Sequence, residues 1–462
     1  MFQPQNRTHA IVIGGSMGGL LAARALADRF ARVTVVERDA LAATPEQRKG
    51  VPQGEHAHGL LARGREILEE FFPGITAELT ARGALSGEIS RDVLWHCAGD
   101  FLAEVPGGDL VGIALSRPLL ETQVRTRLAA LPNVTLAANC DAIGLLASSD
   151  RTRITGVRLQ RASGAVEEMP ADLVVDATGG GSKSAAWLAM LGYPAPAEEM
   201  VRVGLGYTTR LYRRRPGDLG GRIGLAVVAQ PPNPHTGVAI AMEGDRWIVS
   251  TAGYFGRHAP PDEAGFLDFL AAMPTRAIHD LVRAAEPISD FKTFKFAGST
   301  RRRYDKLKRF PEGYLVFGDA ISRFNPVFAQ GMTSSALQAL ALRDCLDARG
   351  VPLWLRFFRR AMRIVDAPWN IAVGADLAYA QTEGPRGPMV NFLNWYIDKA
   401  HRAAHRDPVV AHAFHKVANL VAPPPSILSP RIAWRVLRGN LARRPPAQRS
   451  ASPFSRAQSA ND

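Results

Sequence analysis

The chain has 462 residues, 46% of them hydrophobic and 21% charged, a globular composition long enough to bury more than one core. Lys and Arg number 56 against 43 Asp and Glu, and the net charge of +13 favours anionic partners; no helix-turn-helix, zinc-finger or RNA-recognition signature accompanies it, which argues against nucleic acid. Cys97, Cys140 and Cys345 lack CxxC spacing, so they indicate neither a disulfide framework nor a zinc site and fit a reducing cytoplasm, while no apolar run reaches the roughly 18 residues of a membrane span and no signal-peptide pattern opens the chain.

In chain order, residues 9–13 are a short apolar run, 14–19 a glycine-dense turn, 20–30 an alanine-rich helical pattern and 33–37 a second apolar run. This predicts a strand-turn-helix-strand unit with two parallel strands. Helices are predicted over 63–72 and 118–131, and short strands over 134–136, 142–146, 154–159 and 173–176. Strand-like runs at 201–212, 224–230, 237–242 and 246–254, separated by turn residues, predict an antiparallel sheet in a second domain. Helical segments at 262–272 and 275–285 precede strands near 288–296 and 314–317, so the chain leaves the first domain and returns to it. From residue 334 to about 444 the pattern is mostly helical, with Pro352, Pro368, Pro385 and Pro423 to Pro425 expected to end or kink the helices.

Three stretches carry chemistry. The first is Gly14-Gly15-Ser16-Met17-Gly18-Gly19, set where a strand turns into a helix, the geometry that brings a pyrophosphate to free backbone N–H groups. Ser16 departs from the strict glycine pattern. Glu37 ends the second strand at about the 20-residue offset where an acid meets a ribose hydroxyl pair, which favours FAD or NAD over NADP. The second stretch runs from Leu173 through Asp176 to Gly179-Gly180-Gly181. The third runs from Tyr314 through Gly318 and Asp319 to Gly331 and Met332, where Asp319 can accept hydrogen bonds from a polyol and a helix N-terminus can stabilise negative charge.

With these three fingerprints in this order and spacing, over residues 9 to about 345, the sequence resembles the FAD-dependent monooxygenase superfamily related to para-hydroxybenzoate hydroxylase. It is most similar to the bacterial flavin epoxidases and hydroxylases of natural-product biosynthesis, through Arg48-Lys49-Gly50-Val51-Pro52-Gln53, His56-Ala57-His58 and Ser116-Arg117-Pro118-Leu119-Leu120. The resemblance implies an α/β fold in three layers: a Rossmann-like FAD-binding domain with a parallel sheet, interleaved with an antiparallel-sheet substrate domain and followed by C-terminal helices. The expected division is 1–85, 113–185 and 297–345 for FAD, 86–112 and 186–296 for substrate, 346–445 for the helices, and 446–462 as a disordered tail. The expected cofactor contacts are Gly14, Gly15, Ser16, Met17, Gly18, Gly19, Glu37, Arg38, Arg48, Arg117, Asp176, Gly318, Asp319, Gly331 and Met332. Arg117 is expected at the FAD phosphates, Glu37 at the adenosine ribose and Asp319 at the ribityl and pyrophosphate. Gly180 stands where related chains often carry Arg, and Ala177 follows Asp176 in place of Gly, which leaves the mode of NAD(P)H docking open.

The implied reaction is hydroxylation or epoxidation of a lipophilic small molecule by O2 through a C4a-hydroperoxyflavin. With one dinucleotide turn in the chain, electrons come from NAD(P)H in a transient encounter or from a partner flavin reductase. No residue pattern marks a catalytic acid or base. His58, with His56, is the candidate, against the ordinary role of a loop histidine that satisfies a carbonyl. Halogenation is disfavoured, since no Lys stands between Gly50 and Ser182. A prenyl-chain reductase or dehydrogenase is the alternative, with a basic helix near 430–444 allowing peripheral contact with an anionic membrane; a non-catalytic flavin sensor is the third reading.

Overall fold

The computed structural model describes residues 7–348 and 350–441. The predicted tail at 446–462 lies outside them. The parallel sheet has the order Tyr314–Val316, Leu173–Asp176, His9–Ile13, Arg32–Val36, Val134–Ala137. Its central strands are apolar except at His9 and Asp176 because both faces are covered: His9–Ile13 and Leu173–Asp176 are buried at every position. Helices Met17–Ala27 and Gly331–Asp347 pack on one face and on each other. A three-stranded antiparallel meander, Cys140–Ala147, Ile154–Arg161 and Val166–Pro170, covers the other. Three layers result, and every parallel strand points its C-terminal end at the same edge, the position at which open α/β sheets bind ligands.

The second unit is an eight-stranded mixed sheet. Its long strands Glu198–Arg213, Arg246–Gly253, His235–Met242 and Lys292–Arg302 are antiparallel, as the alternation predicts. One pair departs from the expectation: Gly224–Val227 runs parallel to Val93–Cys97, a strand that the 86–112 segment inserts into the sheet. The rest of that segment turns back, with Leu85–Glu88 pairing Val111–Ala114 beside Gly59–Leu60. Two strands differ in extent. The predicted 288–296 strand lies at Lys292–Arg302, and Val166–Pro170 is a strand whose polar alternation the sequence did not betray.

Helix Leu353–Asp376 runs through Pro368, so of the two expectations there, an end or a kink, the helix does not end. Pro368 and Trp369 are both buried, so the packing of this stretch offsets the hydrogen bond that the ring removes. The same helix places Phe357, Phe358 and Val365 in the core of the parallel-sheet unit. Only Pro388–Ala404, Pro408–Ala418 and Pro430–Leu441 form a cluster of their own. Pro388 and Pro408 start helices, since the first turn has no use for their missing N–H.

Candidate active site

The strand ends open on one cavity of about 1920 Å³, walled by the parallel-sheet edge, the mixed sheet and the C-terminal helices. Ligand pockets span roughly 300–1,000 Å³, so this space accommodates a large cofactor and a second molecule together. Gly14, Ser16, Met17, Gly18, Glu37, Arg38, Arg117, Gly318, Asp319, Gly331 and Met332 line it. Gly15, Gly19, Arg48 and Asp176 do not, and each has a structural duty instead.

Gly14 has φ +103°, and a Cβ on it would meet the Ala177 carbonyl oxygen at 2.8 Å, so the turn and its neighbour strand require glycine. A Cβ on Gly19 would stand 1.7 Å from the Gly14 oxygen; this glycine seats the helix on the strand. Ser16 has extended dihedrals, φ −91° and ψ −179°, which explains why the usual glycine is dispensable there. Its hydroxyl does not cap the helix, whose first N–H groups stay free for a ligand. It donates to Glu121 Oε2 at 2.8 Å and accepts from Arg117 Nη2 at 2.9 Å.

Glu37 is buried at the end of its strand. Oε2 accepts from the Gly15 N–H at 2.7 Å and Oε1 from the Asp39 N–H at 2.9 Å, while Arg48 Nη1 stands 3.2 Å away. Arg48 Nε also donates to Glu121 Oε1 at 2.8 Å, and Arg117 Nε lies 3.4 Å from Glu121 Oε2. Two carboxylates and two guanidiniums thus alternate in a buried, neutral chain. Burial pushes the Glu121 carboxyl up, but Arg117 and Arg48 outweigh it and hold the group below its ordinary range. Sequence reasoning missed Glu121; the signal was an acid one turn beyond Arg117 on a helix whose face there is buried.

Asp176 is wholly buried and accepts from the Thr178 N–H at 2.9 Å and from the Thr178 and Ser182 hydroxyls at 2.6 Å each, with Ser184 also bonded. It staples the turn after its strand, and the cofactor contact expected of it is not what the fold gives it. Asp319 is different. It opens on the cavity between the Gly179 turn and the Gly331 helix start, with those backbones approaching its side chain to 3.9 and 3.8 Å of a notional Cβ. Burial raises its pKa, Arg323 and Arg117 oppose, and no protein hydrogen bond contributes. Such a carboxylate calls for hydroxyl donors from a ligand. Arg323 itself lies 3.3 Å from where a Gly180 Cβ would be, stacked over Phe296 at 4.8 Å, so a guanidinium from another strand occupies the space beside Gly180.

His56 and His58 separate. His56 Nδ1 bonds Thr209 Oγ1 at 2.7 Å and its ring packs by Tyr207 and Phe294 of the mixed sheet. His58 Nδ1 donates to the His56 carbonyl at 2.9 Å, which leaves Nε2 an acceptor in the neutral ring. Burial, helped for His58 by Arg117, pushes both pKa values down to about 4. Both rings are therefore held in the neutral form.

Two polar clusters stand at the wall, through Tyr254 and Asn325 in one and Gln230 and His401 in the other. Asp376 is buried, with Oδ1 accepting from Tyr254 OH at 3.1 Å and from Asn325 Nδ2 at 2.8 Å; Asn325 Nδ2 also reaches Tyr254 OH at 3.0 Å. Burial lifts the Asp376 carboxyl to about 7. This knot ties the loop before the Gly331 helix to both the mixed sheet and helix Leu353–Asp376. Gln230 takes the Ala98 N–H on Oε1, so its Nε2 donates to His401 Nδ1 at 2.8 Å. The neutral His401 ring therefore carries its proton on Nε2.

Residues 10–195 match the family described as FAD dependent oxidoreductase. The chain is 33% identical over 465 aligned positions to Protein Rv3254 of Mycobacterium tuberculosis, with 94% of each chain covered. Among solved structures it is similar to PqsL, a probable FAD-dependent monooxygenase from Pseudomonas aeruginosa (TM-score 0.58, 19% identity, 80% of this chain and 98% of that one). It is also similar to a flavoprotein/dehydrogenase from Cytophaga hutchinsonii (TM-score 0.63, 16% identity, 94% of this chain and 97% of that one).

Proposed function

The chain belongs to the same family as Protein Rv3254, and its residues 10–195 match the FAD dependent oxidoreductases; we propose that it is a monooxygenase inserting one oxygen atom from O2 into a lipophilic small molecule, by hydroxylation or epoxidation. The residues fit FAD: a turn that only glycine can make, an uncapped helix start, a strand-end carboxylate beside it, and a second carboxylate, Asp319, without a protein donor. Glu37 would hold the adenosine ribose, Arg117 and the helix start at Met17 the pyrophosphate, and Asp319 the ribityl hydroxyls. Bound FAD supplies the two electrons and activates dioxygen.

The protein's own task is to hold the substrate, exclude water and place protons. The observation that carries the reading is a single cavity that includes both the cofactor residues and an apolar chamber with Trp95, Ile240, Ile371, Leu393 and Phe414 in its walls. A reactive oxygen species needs such a dry enclosure more than it needs an acid-base pair. Electrons come from NAD(P)H in passing contact or from a partner flavin reductase. Rapid mixing of the anaerobically reduced holoenzyme with oxygen tests the reading: a transient oxygenated flavin and oxygen uptake coupled to an oxygenated product are expected. Turnover of a prenyl substrate without oxygen would assign the reductase reading instead.

A further inference from the structure

Two of the three terminal helices leave their outer surface unusually apolar. On Pro388–Ala404, Met389, Phe392 and Trp395 are exposed; on Pro430–Leu441, Trp434, Leu437 and Leu441 are. Trp395 and Trp434 expose 58% and 64% of their surface, and large aromatic side chains left in water in such numbers mark a contact surface. The two helices join there. Gly439 packs against Ala403, and Asn440 Nδ2 donates to the Lys399 carbonyl at 2.9 Å. Trp395 lies one turn before Lys399 and Leu437 one turn before Asn440, which places both beside the helix–helix contact.

Three further facts select the partner. The exposed basic residues Arg431 and Arg438 interleave with the apolar ones on the same short helix, while Arg435 is held by Asp407 at 2.7 Å, on a chain whose net charge is +13. Trp and Phe above a basic rim suit the headgroup layer of a bilayer, where amphipathic rings and cations both find partners. A symmetric contact between two copies would instead set this basic helix against itself. Residues 442–462, with Arg443, Arg444, Arg449 and Arg456 and one aromatic residue, are too polar to be an apolar cover. Finally, helix Pro388–Ala404 is two-sided: Val390, Leu393 and Ile397 line the cavity, and Met389 both lines it and is exposed. No helix among the described residues is long and apolar enough to cross a membrane, so the contact is peripheral.

We propose that the exposed face of helices Pro388–Ala404 and Pro430–Leu441 docks on an anionic lipid bilayer, with the cavity wall at Met389 turned to the membrane. The docking does not depend on which reaction the flavin performs; only the delivery of a lipophilic substrate through that wall rests on the proposed function.

Co-sedimentation of the full-length holoprotein with vesicles of phosphatidylcholine and phosphatidylglycerol tests it, with pure phosphatidylcholine vesicles alongside. Binding to the mixed vesicles, weakened by salt, is expected. The double variant Trp395→Ser, Trp434→Ser should bind on the order of 100-fold more weakly, since two large apolar side chains no longer insert. Arg431→Gln with Arg438→Gln should lower binding to the mixed vesicles by about tenfold and leave pure phosphatidylcholine unaffected. All these side chains are exposed, and an unchanged flavin content verifies the fold. Binding unaltered in the tryptophan variant, or none by the wild type, overturns the proposal. So does a wild-type dimer that the tryptophan substitutions dissociate while vesicles bind neither form, which gives the face to a second copy. Vesicle binding that emerges only after removal of residues 442–462 would likewise give the face to that tail.

Discussion

The two ends of the cavity are built on opposite principles. At the dinucleotide turn, Glu37, Arg48, Glu121 and Arg117 alternate in sign and hold one another, so charge is buried without an uncompensated member. Arg48 Nη1 has no hydrogen bond there, but faces the Glu37 and Asp39 carboxylates at 3.2 and 3.5 Å. Toward the mixed sheet and the terminal helices, polar groups are sparse and lack such opposite charges: Trp95 Nε1, Tyr207 OH, His401 Nε2 and Asp376 Oδ2 have no hydrogen-bond partner among the described residues. The difference teaches that one end is made rigid for a ligand of constant shape, while the other keeps hydrogen-bonding capacity in reserve inside an apolar wall.

Four tests sharpen or break this contrast. The largest effect belongs to Asp319→Ala, which should abolish bound yellow flavin while the chain still folds; full flavin content in that variant would contradict the assignment. Next is Glu121→Gln. It leaves Arg48 and Arg117 short of a buried counter-charge, and should lower the unfolding free energy by about 3–5 kcal/mol in denaturant titration. A loss under 1 kcal/mol would show the network to be ornamental.

The third test is pH. Burial holds His56, His58 and His401 near pKa 4 and His415 near 3, against an ordinary 6.5. Below 6.5 the unfolded chain takes up these protons and the folded one refuses them, so stability falls as pH drops from 6.5 toward 4. Asp376, raised from 3.8 to about 7, works the other way over 3.8 to 7, but it is one group against four. The urea midpoint should therefore fall between pH 7 and 5, more steeply in Asp376→Asn. A midpoint that rises on acidification would reverse the sign. The smallest effect is that of Tyr254→Phe, which removes one hydroxyl from the Asp376 knot. About 1 kcal/mol of stability is expected, with flavin content retained and the pH dependence of turnover altered; an unchanged pH profile would reduce the knot to packing.

The legibility of the site follows the same division. Gly14, Gly18, Glu37, Gly318, Asp319 and Gly331 announce themselves because the turn chemistry is local: each sits where an apolar run ends, and the spacing of those runs is the strand-helix-strand period. Sequence alone therefore determined the parallel sheet, the direction of its strands and the edge on which the glycine turns and strand-end acids gather. It also determined the antiparallel character of the second sheet, from alternation. It could not say that Asp176 would face inward to three hydroxyls while Asp319 faced the cavity, since both read as an acid after an apolar strand. Only the tertiary structure decided that Arg323 fills the space at Gly180, that Glu121 closes the ion chain, and that Asp376 meets Asn325 and Tyr254. Those contacts join residues from separate sheets and helices, and long-range proximity leaves no trace in local periodicity or propensity.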